Sequence, residues 1–201
     1  MWRGLTAPPH YQMAESVVEI CNAALTFIGD SRITSLTDNS PEARACNARY
    51  ANIRDAVLHS HPWNGAIQRV SLASETDTPT FAWSYQMTLP TDPWCLRVLE
   101  LENTDHDQWA VEGRKLLCDL SSVNIRYIKR ITDTMEFSPE SSETMSMRLA
   151  HSISYSLTGS RQMQNDLWAM YEQMLRSARS IDGLEGKPPD IISEHFIDAR
   201  I

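Results

Sequence analysis

Apolar residues recur at intervals of three and four in the first third of the chain, which predicts two amphipathic helices. The first is expected over residues 13–28, or from slightly later if Ser16 and Glu19 form a capping box, and Gly29 follows it as a helix-ending residue. The second starts at Ser40 and Pro41, because serine caps an exposed amide and proline has no amide to lose. It ends just before Pro62, since the residue preceding a proline resists helical backbone geometry. The predicted inner faces comprise Val17, Ile20, Cys21, Ala24, Leu25 and Ile28 in the first helix and Ala43, Cys46, Tyr50, Ile53 and Val57 in the second.

The periodicity changes from helical to alternating between residues 75 and 133. Residues 81–89 alternate strictly and carry three aromatic side chains, which is typical of a strand with one buried face. Further strands are predicted over residues 96–101 and 123–130, with a hairpin over residues 109–117 between them. These segments predict a small antiparallel sheet inserted between helices.

Helical periodicity returns after Ser138 and Pro139, which repeat the starting residues of the second helix. The break at Gly159 is short, so the third and fourth helices are expected to form an antiparallel hairpin. The fourth helix has the most regular apolar stripe of the chain, made of Met163, Leu167, Met170, Tyr171, Met174, Leu175 and Ala178.

The segment after residue 182 is unusually apolar for a terminal extension. It contains two adjacent prolines and then Ile191, Ile192, Phe196, Ile197 and Ile201. A disordered tail normally holds few such residues. They would be shielded from water if the tail lay along another subunit, so we interpret them as a partner-binding segment.

Together these patterns predict an α+β protein. Its expected architecture is an antiparallel four-helix bundle with an inserted small antiparallel β-sheet subdomain and an extended C-terminal tail. The predicted segments are an N-terminal extension (1–12), the first two helices of the bundle (13–74), the inserted β subdomain (75–137), the last two helices (138–182) and the tail (183–201).

Length and charge narrow the class of protein. A chain of 201 residues buries roughly 70% of its unfolded surface, so it needs no metal or disulfide to fold. No apolar run approaches the ~20 residues of a membrane-spanning helix. The net charge of -8 argues against a protein that grips nucleic-acid phosphates, although an acidic ring would let DNA pass without sticking. The four cysteines are far apart in the sequence and are expected to be reduced and buried.

The motifs of common enzyme classes are missing from the sequence. It has no phosphate-binding loop, dinucleotide-binding glycine pattern or nucleophile elbow. His59 and His61 lack the further converging ligands of a metal site, and the charged turn 105–107 lacks the calcium-loop pattern. We therefore predict no enzyme activity, no cofactor and no metal. Two alternatives stay open, namely an enzyme whose site is assembled from scattered residues and a small helical regulator or assembly chaperone.

One ordered set of residues extends over most of the chain, from residue 14 to residue 180. Its members are Ile28-Gly29, Ser35-Leu36, Ser40-Pro41-Glu42-Ala43, Cys46-Asn47, Tyr50, Arg54-Asp55, Leu58, Pro62-Trp63, Leu72, Phe81–Pro90, Leu96-Arg97-Val98, Glu112-Gly113-Arg114, Ile125-Arg126-Tyr127-Ile128 and Leu157-Thr158-Gly159-Ser160. In this order they resemble the tail tubular protein A family, the head-to-tail adaptors of short-tailed phages. No single member is specific, and the order of the whole set carries the resemblance. Residues 1–12 and the tail share no pattern with the family.

The resemblance implies a structural virion protein, made in the host cytoplasm and located in the neck of the viral tail. Members of the family form a dodecameric ring between the portal and the tail nozzle, and DNA passes through its channel during ejection without specific binding. We expect the five apolar tail residues Ile191, Ile192, Phe196, Ile197 and Ile201 to contact the portal. Exposed loops of the sheet are expected to face the nozzle, through Asp105, His106, Asp107, Arg114 and Lys115.

Overall fold

The computed structural model of the chain describes residues 16–102 and 109–184. Within these ranges the chain forms four α-helices, six β-strands and two short 3₁₀ turns at Asn64–Ala66 and Thr134–Glu136. The helices are α1 (Val17–Ile28), α2 (Pro41–Ser60), α3 (Pro139–Thr158) and α4 (Arg161–Leu184). The strands are β1 (Ile67–Ala73), β2 (Tyr85–Thr88), β3 (Cys95–Leu101), β4 (Trp109–Glu112), β5 (Lys115–Cys118) and β6 (Ser122–Lys129).

Helices α1, α2 and α3 begin and end where the sequence predicts, whereas α4 extends to Leu184, past the predicted end at residue 182. The Ser16 hydroxyl accepts a hydrogen bond from the amide of Glu19, whose carboxylate accepts the amide of Ser16 in return. The Ser40 hydroxyl caps α2 by accepting the amide of Ala43, ahead of a proline at the first helical position. Gly29 and Gly159 end α1 and α3 with φ values of 79° and 68°. This left-handed geometry suits glycine, and both predicted helix ends are confirmed.

The prediction of an antiparallel four-helix bundle is wrong. Helix α3 packs against α1, α2 and α4, whereas α1 and α2 share few contacts and α4 packs chiefly on α3. Small residues on α3 allow this close approach from several sides, and they include Ser141, Ser142, Thr144, Ser146, Ala150 and Ser154. The Ser146 hydroxyl lies 3.1 Å from the carbonyl oxygen of Ile20 on α1. Helix α4 buries only a narrow stripe, so it can cover only one neighbour.

The expected single small sheet is instead two antiparallel sheets of three strands each. Sheet A has the order β1-β6-β3 and sheet B the order β2-β5-β4. Sheet A begins at Ile67, ahead of the segment 75–137 in which all strands were expected. β1 pairs with β6 along its whole length, from Ile67 opposite Ile128 to Ala73 opposite Ser122. The pairing of β3 with β6 is interrupted by two register shifts.

The central strand β6 contributes to two hydrophobic cores. Ile125 and Tyr127 belong to a cluster shared with sheet B. Ile128, on the opposite face, belongs to the cluster formed with the helices. Both faces of β6 are covered at this end because alternate side chains of a strand point to opposite faces of the sheet. Sheet A therefore forms a wall between the helices and sheet B.

The predicted strand over residues 81–89 is shorter than expected. Only Tyr85–Thr88 is extended and paired. Ala82 has a φ of 70°, which turns the backbone away from strand geometry, and the amide and hydroxyl of Ser84 both bond to the Asp119 carboxylate. Phe81, expected in the core, is 83% exposed in consequence.

The loop between α1 and α2 is fastened by two side chains. The Asn22 amide of α1 donates to the carbonyl of Ile33 at 2.9 Å and its oxygen accepts the amide of Ile33 at 2.8 Å. The Asp38 carboxylate accepts the amides of Thr34 and Ser35, and these bonds hold the pKa of Asp38 below its usual value. Ile33 is buried in consequence.

All four cysteines are buried and free of disulfide bonds, which confirms the prediction for these residues. A hydrogen bond to Cys46, together with burial, raises the pKa of the Cys21 thiol. None of the helices in the described ranges is long and apolar enough to cross a membrane.

We predict that Ile128→Ala destabilises the protein by about 2–5 kcal/mol, because it opens a cavity where the helices meet sheet A. Chemical denaturation followed by circular dichroism measures the change. Ser122→Ala, at the exposed start of the same strand, serves as control and should shift stability by less than about 0.5 kcal/mol. Equal effects of the two substitutions would contradict the role assigned to Ile128.

Candidate interaction surfaces

The predicted partner-binding residues divide into two groups. Asp105, His106 and Asp107, and the tail residues Ile191, Ile192, Phe196, Ile197 and Ile201, lie outside the described residues. Arg114 and Lys115 lie at the turn between β4 and β5. Both are half-buried, so the full exposure expected of them is wrong, and only Gly113 of this turn is exposed.

Arg114 braces the start of β3. Its Nη1 donates to the carbonyl of Cys95 at 2.7 Å, and its Nη2 donates to Pro90 at 2.5 Å and Leu89 at 3.2 Å. The guanidinium lies 3.9 Å from the centre of the Trp94 ring, within cation–π distance. The side chain thus fixes the turn to the strand behind it, and its charge is already engaged inside the protein.

Lys115 is engaged in a similar way. Its ammonium group forms an ion pair with Glu75 and donates to the Thr88 hydroxyl at 2.8 Å. The hydrogen bond from Lys115 is the main reason that the pKa of Glu75 lies below its usual value. A nozzle contact through Arg114 and Lys115 stays a prediction.

A network around Asp55 joins the helices to sheet A. The Asp55 carboxylate on α2 accepts two bonds from Arg130, at 3.1 and 2.6 Å, and two from the neighbouring Arg54, at 3.0 and 2.9 Å. Arg130 follows β6, and its guanidinium lies 5.3 Å from the Trp94 ring that also contacts Arg114. The sequence did not predict the contact between Arg130 and Asp55, because the two residues are 75 positions apart. The only sequence signal at this place is that Arg54 and Asp55 are adjacent within the resemblance set.

The end of α4 is fastened to the corner that follows α2. The Asp182 carboxylate lies 2.9 Å from Nε2 of His61 and accepts the amide of Asn64 at 3.0 Å. The Asn64 side chain donates to the Asp182 carbonyl at 2.6 Å, and Arg179 donates to the carbonyl of Ser60 at 3.0 Å. We call these contacts the α4 latch. Next to it Trp63 is 3% exposed, so its ring lies inside the protein.

The histidine and carboxylate of the latch are not arranged for nucleophilic catalysis with the adjacent serine. The Ser60 hydroxyl donates to the carbonyl of Val57 at 2.8 Å, whereas the nucleophile of such a triad bonds to the histidine. No group of three or more potential metal ligands occurs among residues 16–102 and 109–184.

Aromatic and basic side chains lie along one side of the α3–α4 hairpin. Arg148 Nη1 lies 2.8 Å from Nδ1 of His151, and its guanidinium lies 4.7 Å from the Trp168 ring. The ring of His151 is 4.9 Å from that of Trp168, which is 5.3 Å from Tyr171. Burial, and secondarily the charge of Arg148, lowers the pKa of His151 from its ordinary value of 6.5. Neither Arg148 nor Trp168 was predicted from the sequence as a partner-binding residue.

Two surface hollows lie on the sheets. The larger, of about 580 Å³, lies on the face of sheet A that carries Arg69, Ser71, Glu100, Glu102, Asn124 and Arg126. The smaller, of about 310 Å³, lies between sheet B and the loop that contains Phe81 and Trp83. The register of the strands brings these residues together, so neither hollow was visible as a sequence motif.

No family model matches the chain, and no curated protein matches it.

We predict that Arg114→Ala destabilises the protein by about 1–3 kcal/mol, because three backbone carbonyls lose a charged donor. Arg176→Ala on the exposed surface of α4 is the control and should change stability by less than about 0.5 kcal/mol. Thermal and urea unfolding of the two variants provide the measurement. Wild-type stability of R114A would show that the brace is unimportant.

We predict that the stability contributed by His151 falls at acid pH. Its pKa is lower in the folded protein than the ordinary 6.5, so below pH 6.5 the unfolded chain binds more protons. The free energy of unfolding therefore decreases as the pH falls through 6.5 towards the lowered pKa of the folded state. H151Q should show a smaller decrease between about pH 7.5 and about pH 5.5 in urea titrations. Gln173→Ala, at an exposed position without a titratable group, should follow the wild-type curve; identical curves for all three proteins would refute this assignment.

Proposed function

We propose that the protein is a head-to-tail adaptor, a structural component of a phage particle that forms a ring between the portal and the tail nozzle. The observation that supports this proposal is the ordered set of residues that resembles tail tubular protein A. Members of that set occupy joints of the fold: Asp55 binds Arg130 and Arg114 lies over Trp94. Trp63 fills the corner after α2, and Tyr127 lies between the two sheets. The resemblance therefore falls on residues that shape the domain.

The portal contact is assigned to the tail, through Ile191, Ile192, Phe196, Ile197 and Ile201. The α4 latch supports this assignment indirectly, because it fixes the place from which the tail starts. A binding segment that starts from a fixed point loses less freedom on docking than one attached to a mobile helix. Ordering of the tail on the portal then adds contact area.

The nozzle contact is assigned to a second set of residues, Asp105–Asp107 and Arg114–Lys115. Arg114 donates to backbone carbonyls, and Lys115 forms an ion pair with Glu75. These contacts hold the turn in one conformation. A rigid turn suits recognition by shape because little conformational freedom is lost on binding. DNA would pass through the ring without specific contacts, since an acidic subunit with a net charge of -8 repels phosphates.

The proposal predicts that deletion of residues 187–201 weakens binding to the portal encoded by the same genome. We expect a loss of at least about tenfold in affinity, measured by surface-immobilised portal rings. Residue 187 lies beyond the α4 latch, so circular dichroism and thermal unfolding should match those of the full chain.

Two controls sharpen this experiment. A full-length variant with Ile191→Ser and Phe196→Ser tests the apolar contact without shortening the chain, and Glu172→Arg on the exposed surface of α4 tests an unrelated charge. Unchanged portal affinity of the deletion would refute the tail assignment. Cryo-electron microscopy of complete particles tests the adaptor itself, and a neck that lacks this subunit would overturn the proposed function.

A further inference from the structure

The outer edge of β1 is free of backbone partners over residues 68–73 within the described ranges. β1 pairs with β6 on one side, and it is the first strand in the order of sheet A. None of its seven residues is buried. In residues 16–102 and 109–184, the further backbone bonds lie at its two ends, where Ile67 donates to the carbonyl of Asn64 and Glu75 donates to the carbonyl of Gln86. A regular, unpaired strand edge is a template for a further strand.

The other outer strands differ in how open their edges are. The pairing of β3 is broken by two register shifts, which blunt an edge against further pairing. Next to β2, the amide of Glu75 donates to the carbonyl of Gln86 at 2.9 Å, so this edge is partly occupied. β4, in contrast, pairs in regular register with β5, and Val111 on it is 42% exposed. β1 and β4 are therefore the two regular open edges of the described chain.

These two edges lie on opposite sides of the sheet pair. β1 of sheet A contacts β2 of sheet B, and the bond between Glu75 and Gln86 ties them at one side. In sheet B, β5 separates β2 from β4. β4 must then lie on the side away from β1. A contact between two different patches on opposite sides of a subunit is the arrangement that a closed ring of identical copies requires.

The side chains of β1 and β4 also match when the strands are placed antiparallel. With Arg69 opposite Glu112, the following pairs are Val70 with Val111, Ser71 with Ala110 and Leu72 with Trp109. Opposite charges directly across from each other are favourable between strands, and the other three pairs combine uncharged side chains. A shift by one residue would place Arg69 opposite Val111 and lose the match.

The faces of the two strands agree with this register. Val70, Leu72 and Trp109 pack against the cluster between the sheets, so the apolar pairs would extend an existing core. Arg69 and Ser71 line the 580 Å³ hollow on the other face of sheet A. The pair of Arg69 with Glu112 would close the side of this hollow.

Both charges are available for such a pair. Arg69 is exposed and lies directly opposite Arg126, which is itself paired with Glu100 at 2.9 Å. Two like charges facing each other across strands are unfavourable, so a third strand with a carboxylate beside Arg69 relieves the repulsion. Glu112 is exposed and lies opposite Lys115, whose ammonium group is bound by Glu75.

We propose that copies of this chain associate by pairing β1 of one subunit, in antiparallel register, with β4 of the next. Each contact extends sheet A of one copy into sheet B of its neighbour. Because the two edges are different and lie on opposite sides, the contact repeats around a ring and leaves neither β1 nor β4 unpaired once the ring closes. This inference rests on the ring-shaped adaptor proposed above and specifies its lateral contact.

Charge exchange tests the pairing in the full-length protein. Arg69→Glu and Glu112→Arg, made separately, should each weaken self-association by roughly tenfold, measured by sedimentation and native mass spectrometry. The double variant R69E/E112R restores opposite charges at every contact and should regain the wild-type level. Arg176→Glu and Glu172→Arg, exposed on α4, are matched charge reversals and should have no effect. Failure of the double variant to recover would overturn the proposal.

Cross-linking tests the register independently of affinity. Ser71→Cys with Ala110→Cys in one chain should yield a ladder of disulfide-linked oligomers on mild oxidation with a glutathione disulfide buffer, because both residues share one cross-strand pair. Ser71→Cys alone tests a symmetric β1–β1 pair and should stay monomeric on a non-reducing gel. S71C with Val111→Cys, displaced by one residue, should link poorly.

The outcomes separate this inference from the proposed function. A ladder from S71C/A110C combined with an unchanged portal affinity of the tail deletion would retain the β1–β4 contact and reject the tail assignment. A chain that binds the portal but gives no ladder at high concentration, or that gives dimers from S71C alone, would overturn the β1–β4 contact.

Discussion

Strand β6 is the element on which the rest of the molecule depends. One face of it belongs to the core shared with sheet B, through Ile125 and Tyr127, and the other meets the helical core at Ile128. Both cores therefore contain side chains of β6. A displacement of β6 would also displace β1 and β3, which pair with it on either side. The Asp55–Arg130 pair reinforces this junction, because it ties α2 to the residue that follows β6.

Local chemistry near helix ends was readable in the sequence, whereas the packing of the helices was not. Ser16, Ser40 and Gly29 act within one helical turn, and their effects follow from the residues themselves. The central position of α3 depends on how many neighbours its small side chains admit, which no single periodicity reveals. The late start of β2 depends on the Ser84–Asp119 bonds, which join residues far apart in the sequence. The alternating pattern of residues 81–89 does not reveal such a long-range contact.

The candidate surfaces also depend on contacts between residues that are distant in the sequence. Arg114 is exposed in a sequence-based view because it occupies a hairpin turn, but the carbonyls that it binds belong to residues 89–95. The open edges of β1 and β4 were equally hidden, since an edge is a property of strand order and not of one strand. The proposed function relies on recognition by shape. A protein that works by shape needs a rigid domain with distinct surfaces on different sides, and the joints described above provide that rigidity.

The α4 latch has a mechanical consequence. Helix α4 contains 24 residues, which corresponds to about 36 Å at a rise of 1.5 Å per residue. Tension applied at its C-terminal end meets the contacts of Asp182 and Arg179 first, and these pass the load directly to the backbone after α2. Separation of α4 from α3, one turn at a time, would start only after these contacts had broken. The domain is thus built to withstand pulling from that end as one body.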